Sequence, residues 1–117
     1  MIAKEEYDFQ ILKLTDTFYR TYPDPPFKEI LQKNLRAYDC LLLQSHYDYF
    51  ICVPYRSRIS HNYAYLFTKS ARSRKSRSGL DYSKTVIIKN PQYLGKEPAV
   101  IDRDEYIETI FAFKILS

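Results

Sequence analysis

Two apolar runs constrain this chain more than any other feature. Ala37 to Gln44 reads AYDCLLLQ and Tyr49 to Tyr55 reads YFICVPY, with Ser45-His46-Tyr47-Asp48 between them. Neither run alternates apolar with polar residues, as a strand with one wet face would, so each must bury both faces. Two such runs joined by a short polar connection predict a β-hairpin deep inside a sheet, with His46 in its turn.

The remaining residues supply what must cover it. Glu5 to Leu14 sets Tyr7, Phe9 and Ile11 against Asp8, Gln10 and Lys13, the period of a strand. Thr15 or Asp16 can cap a short helix through Phe18 and Tyr19, stopped by Pro23 ahead of the rigid turn Pro23-Asp24-Pro25-Pro26. Phe27, Ile30 and Leu31 then have helical spacing. Asn62 to Phe67 predicts a strand with Tyr63, Tyr65 and Phe67 on one face, and Thr85 to Lys89 (TVIIK) a short core strand. Asp102, with Glu105 three residues on, resembles a capping box. It would open a helix in which Tyr106, Ile107, Ile110, Phe111 and Lys114 follow helical spacing. This order implies an α+β fold: a compact, antiparallel, partly barrel-like sheet flanked by helices. At 117 residues, 45% of them hydrophobic, the chain has room for one domain (1–117) and a real core. Its 2 glycines, Gly79 and Gly95, are expected to mark bends.

Several classes are disfavoured. No apolar run approaches the roughly 18–20 residues of a membrane span, and MIAKEEYDFQ lacks the pattern of a signal peptide. Cys40 and Cys52 sit inside apolar runs and read as buried free thiols rather than a disulfide. Two cysteines without histidines at ligand spacing do not build a zinc site, so no metal and no cofactor are expected. A reducing cytoplasm fits this pattern.

Charge points to the partner. Between Tyr55 and Asn90 stand Arg56, Arg58, Lys69, Arg72, Arg74, Lys75, Arg77, Lys84 and Lys89 against one acid, Asp81. That segment carries net +8 in a chain of net +4, leaving −4 for the rest. A positive face on an acidic body favours a polyanion. The densest part, SARSRKSRSGLDYSK from Ser70 to Lys84, interleaves cations with serines in a loop tethered by Gly79 and Leu80 to the next strand. Phosphate chains are bound by such combinations.

Two further groups meet that loop. Pro54-Tyr55-Arg56-Ser57-Arg58-Ile59-Ser60-His61-Asn62 leaves the end of a buried strand carrying cations, hydroxyls and one titratable ring. Asp81 lies alone in the positive field and is expected to organise an arginine rather than act as a base. RNA is cut without metal when its 2′-hydroxyl attacks the adjacent phosphorus, provided the phosphorane charge is neutralised and two protons move. Arginine neutralises charge but does not transfer protons, which leaves His61 as the natural acid–base group. Ser57 and Arg58 would hold the phosphate and Lys84 would stabilise charge from the opposite wall. Arg56, Arg72, Arg74, Lys75 and Arg77 would track the backbone, and Tyr55 or Tyr82 would stack a base.

VPYRSRISHN, then AYLF, then SARSRKSRSGLDYSKTVII together resemble the toxins of type III toxin–antitoxin systems, the ToxN/AbiQ-type endoribonucleases, and most of all their TenpIN branch. The resemblance runs from about Arg36 to Lys89, and the serine–arginine block is its most specific part. It implies an SH3-like barrel of the MazF and Kid kind and sequence-selective, metal-independent RNA cleavage. It further implies neutralisation by a small structured repeat RNA in a toxin–RNA hetero-oligomer, with target RNA as the other partner. Ser57 matches the family's serine after the strand-end proline. Arg58 falls where many relatives carry a catalytic lysine, if the intervening proline is deleted here; that departure raises the weight on His61 and Lys84. Arg36 matches a basic, RNA-contacting position. Two rivals keep the basic segment without catalysis: an RNA-binding module, and a domain that docks an acidic protein.

Overall fold

The computed structural model describes residues 9–23, 26–27, 30, 39–44 and 48–116. Arg36, His46 and most of the helical spacing expected after Phe27 lie outside them, as do residues 5–8 of the first predicted strand. The described chain forms an α+β fold around one antiparallel sheet of six strands. In chain order these are β1 (Phe9–Lys13), helix α1 (Asp16–Thr21), β2 (Asp39–Gln44), β3 (Phe50–Arg56), β4 (Ala64–Leu66), helix α2 (Ala71–Lys75), β5 (Gly79–Asp81), β6 (Val86–Ile88) and helix α3 (Arg103–Leu116). Single 3-10 turns occupy Tyr82–Lys84 and Pro91–Tyr93. No helix among the described residues is long and apolar enough to cross a membrane.

The predicted hairpin is the centre of the sheet. β2 pairs β1 on one edge and β3 on the other, with Leu41 opposite both Ile11 and Val53. Successive residues point to opposite faces, which is why the run had no polar alternation. Cys40, Leu42 and Cys52 meet Phe18 of α1, while Leu41, Val53 and Tyr55 meet Leu80 and Ala112 of α3. Both thiols are buried and neither forms a disulfide. Burial pushes the Cys52 thiol up to about 12 and raises Cys40 further, so neither is a ready thiolate.

The far edge of β3 is shared. β6 pairs its first half, with Cys52 opposite Val86, and β5 its last residues, with Tyr55 opposite Leu80. Three steps along β3 therefore face six along the partner, and the surplus is the 3-10 turn Tyr82–Lys84. Pro54, which has no N–H for a ladder, lies inside this break. β4 then adds outside β5.

Three expectations change here. The Ser70–Lys84 loop is ordered structure: Ser70 caps α2 by accepting the Ser73 N–H at 3.1 Å, and β5 and the 3-10 turn follow. The Thr85–Lys89 strand is not a core strand, because only Ile88 is buried and Ile87 is exposed. α3 forms where expected, yet Tyr106, Ile107 and Phe111 look outward and Glu105, Glu108, Thr109 and Ala112 face the protein. Its cap is half a box. Asp102 accepts the Asp104 and Glu105 N–H groups, while the Glu105 carboxylate turns away to Ser70 and Arg72.

Gly79, expected to mark a bend, instead begins strand β5, and neither glycine has positive φ. Each lies where a neighbouring carbonyl crowds the Cα: a Cβ on Gly79 would overlap the Tyr65 oxygen, and one on Gly95 the Lys13 oxygen. Gly79→Ala should therefore force β4 from β5 and lower stability by about 1–3 kcal/mol, the usual cost of overpacking, measured by urea unfolding.

Candidate functional site

On the α1 side of the sheet the apolar face gives way to a polar one where β3 and β5 end. Alternation along β3 puts Cys52, Pro54 and Arg56 on this face, and along β5 it puts Asp81 there, since Tyr55 and Leu80 belong to the α3 side. Asp81 is 0% exposed, and its carboxylate gathers the surrounding groups. Oδ1 accepts the Ser83 N–H at 3.0 Å and the Ser83 hydroxyl at 2.6 Å, an Asx turn that shapes the 3-10 segment. Arg56 donates to Oδ2 at 2.9 Å, so the lone acid of the basic segment does hold an arginine.

His61 reaches the same carboxylate, with Nε2 3.2 Å from Oδ1 and 3.1 Å from the Ser83 hydroxyl oxygen. Its other nitrogen, Nδ1, accepts the Tyr63 N–H at 3.0 Å. An accepting Nδ1 carries no proton, so the imidazole is neutral with its hydrogen on Nε2, aimed at Asp81. This is the orientation of an Asp–His pair in which the carboxylate fixes the tautomer and Nδ1 is the basic atom. It is not a serine-nucleophile triad, because Asp81 and Ser83 approach the same ring nitrogen and the Ser83 hydroxyl donates to the acid.

The loop that carries His61 is pinned along its length. The Ile59 N–H donates to the Arg77 carbonyl at 2.8 Å, and Ile59 itself is buried. The Arg77 guanidinium returns to the His61 carbonyl and to Asn62 Oδ1, each at 2.9 Å. The Tyr82 N–H donates to the Tyr63 carbonyl at 2.9 Å. At the start of the loop Ser57 is half-buried, and Arg58 is exposed with φ 57°, a left-handed conformation unusual for a residue with a Cβ. Lys84 lines a narrow crevice with Phe18, Cys40, Pro54 and Val86, on the same sheet face as Asp81.

The other predicted contacts divide by where they lie. Tyr55 is not available to stack a base: it is 2% exposed, and its hydroxyl shares a 2.8 Å hydrogen bond with Thr109. Tyr82 is half-buried against the α3-side core. Arg72 grips Glu105 with Nε at 3.0 Å and a terminal nitrogen at 2.6 Å, which joins α2 to α3 instead of leaving the cation free for a phosphate. Arg56 and Arg77 likewise have internal partners, while Arg74 and Lys75 are exposed on α2. Ser83, Asn62 and Tyr63 escaped sequence reasoning, although the Asp-x-Ser spacing of Asp81 and Ser83 is itself an Asx-turn signature. Among the described residues no three His, Cys, Asp or Glu side chains gather as metal ligands.

Burial raises the pKa of Asp81, but the hydrogen bonds from Ser83 and Arg56 outweigh it and hold the carboxyl below its ordinary 3.8. A carboxyl depressed by folding gives stability that is complete above its unfolded pKa and lost as pH falls through the folded one. Asp81→Asn should cost on the order of 3 kcal/mol at pH 7, as expected for breaking a buried pair. Urea unfolding at pH 7, 5 and 3 should show that gap hold at the first two values and narrow at the third.

No family model, no curated protein and no solved structure matches the chain, so the chemistry of the site rests on its own residues.

Proposed function

We propose that this chain is a metal-independent endoribonuclease, the toxin of a type III toxin–antitoxin system held inactive by a structured RNA. The observation that carries the reading is the buried Asp81 carboxylate behind Nε2 of His61, in a pinned loop beside exposed cations. In this reading His61 Nδ1 takes the proton of the RNA 2′-hydroxyl as its oxygen bonds phosphorus, and Asp81 stabilises the imidazolium that forms. The imidazolium then gives that proton to the departing 5′-oxygen as its bond to phosphorus breaks, leaving a 2′,3′-cyclic phosphate. The substrate must first displace the Tyr63 N–H from Nδ1, an exposed hydrogen bond worth about 1 kcal/mol. Arg58 and Lys84 neutralise the phosphorane, Ser57 hydrogen-bonds a non-bridging oxygen, and Arg74 and Lys75 on α2 extend the basic surface. A cytoplasmic toxin–RNA assembly belongs to the same proposal. So does kinship with SH3-like barrels, which the open antiparallel sheet of six strands supports.

A second reading, an RNA-binding module that does not cut, is favoured by one observation: Nδ1 already has a donor and is not open to take a proton. The two separate on a single assay. Incubated with single-stranded RNA and excess EDTA, the wild-type chain should yield fragments ending in 2′,3′-cyclic phosphate. His61→Ala should slow cleavage roughly 10²- to 10⁴-fold, the range for losing an acid–base group, with RNA affinity retained. RNA bound and left intact by the wild type would favour the binding module.

Arg58 gives an independent check. Arg58→Gly removes a cation while fitting the left-handed backbone, so stability should stay within about 1 kcal/mol of wild type. Cleavage should nevertheless fall, and thermal melting beside the cleavage assay would show both.

A further inference from the structure

Tyr63 belongs to a predicted run of three aromatics on one strand face, but only Tyr65 and Phe67 pack with the core. Tyr65 and Phe67 pack together on the α3 side with ring centroids 6.2 Å apart. Tyr63 precedes β4 and is 74% exposed, the most open tyrosine among the large exposed hydrophobics. Leaving an aromatic of this size in water forgoes burial worth about 1.5–3 kcal/mol.

Its backbone is nonetheless held on both sides. The Tyr63 N–H donates to His61 Nδ1 and its carbonyl accepts the Tyr82 N–H. The ring lies beside the imidazole, centroids 5.9 Å apart and planes at 39°. Neighbouring groups suit a nucleotide. Arg77, exposed, spans the carbonyl of His61 and the side chain of Asn62, and Asn62, whose Oδ1 accepts from Arg77, offers amide N–H donors that a base edge can use.

We propose that Tyr63 is a stacking platform for one unpaired nucleobase of a single-stranded RNA, placing the adjoining phosphate beside His61 and Arg77. The inference rests on the RNA reading above and adds to it the substrate class and the residue that selects it. Duplex RNA does not fit, because its bases already stack on each other and show no free face. An acidic protein would use the cations and leave the ring idle. The Tyr82 N–H bond to the Tyr63 carbonyl keeps the ring anchored when substrate takes Nδ1, so it binds without paying to order a loop, and base–aromatic stacking tolerates any base.

The test separates bases from phosphates. Affinities of wild type, Tyr63→Ala and Tyr63→Phe are measured for a single-stranded oligouridylate, for a duplex RNA and for inorganic polyphosphate of matched charge. Stacking predicts that Tyr63→Ala weakens oligouridylate binding roughly 5- to 100-fold, leaves polyphosphate and duplex binding unchanged, and is rescued by Tyr63→Phe. The chain has no tryptophan, so Tyr63→Trp adds a single reporter whose fluorescence oligouridylate should quench and polyphosphate should not. Equal oligouridylate affinity in wild type and Tyr63→Ala overturns the platform and leaves the nuclease reading standing. A loss shared equally with polyphosphate overturns it too, by tracing the effect to charge. If wild type binds no RNA, the RNA reading itself falls and takes the platform with it.

Discussion

The buried carboxylate of Asp81 is the interaction on which the rest of this site depends. A desolvated charge is stable only with its lone pairs filled, and here Ser83 supplies two donors, Arg56 one and His61 another. Each partner comes from a different piece of chain: the end of β3, the loop after it, and the 3-10 turn after β5. The acid therefore joins three segments at the end of the sheet through one buried group. It also sets the tautomer of His61, because a carboxylate beside Nε2 makes that nitrogen the one that keeps its hydrogen.

The same logic organises the other side of the sheet. α3 presents glutamates to the protein, and each has a use. Glu105 takes the Ser70 hydroxyl and the Arg72 guanidinium, while Glu108 takes the N–H groups of Thr68 and Lys69. Thr109 completes the layer by bonding both Tyr55 and the Glu105 carbonyl. Much of the cation density in the sequence is thus structural bracing. Arg56, Arg72 and Arg77 tie elements together, while Arg58, Arg74 and Lys75 stay exposed.

This division explains what was legible in the sequence. The buried hairpin was readable because two-faced burial leaves no polar positions in a strand, and β2 and β3 form there. Although the Thr15 side chain does not cap α1 and donates to the Gln92 carbonyl instead, that helix was readable from its apolar spacing and Pro23, and α3 from its Asp102 cap. The outward turn of α3 was not, because helical periodicity gives a stripe of apolar residues without saying whether a better polar partner exists for the other face. Glu105 and Glu108, three apart, were the available hint. Charge counting located the basic segment but could not tell bracing from exposed cations, since that depends on which acids fold against them. Tyr55 and Tyr63 show the same limit with aromatics: each has a polar neighbour in sequence, Arg56 and Asn62, yet one meets Thr109 in the core and the other meets solvent.

The register break ties architecture to chemistry. β5 and β6 lie along one edge of β3, and an uninterrupted strand would have placed Asp81 in a continuous ladder and left no room for Ser83 to fold back. Three surplus residues beside Pro54 bend the chain instead, so that Tyr82 faces the α3 core while Lys84 lines the crevice on the α1 side. Tyr82 also donates its N–H to the Tyr63 carbonyl, which joins the bend to the His61 loop. A rigid sheet edge thus carries a short irregular segment whose every turn is fixed by a named bond. Such an edge can aim a ring and an imidazole outward with little entropy left to lose on binding.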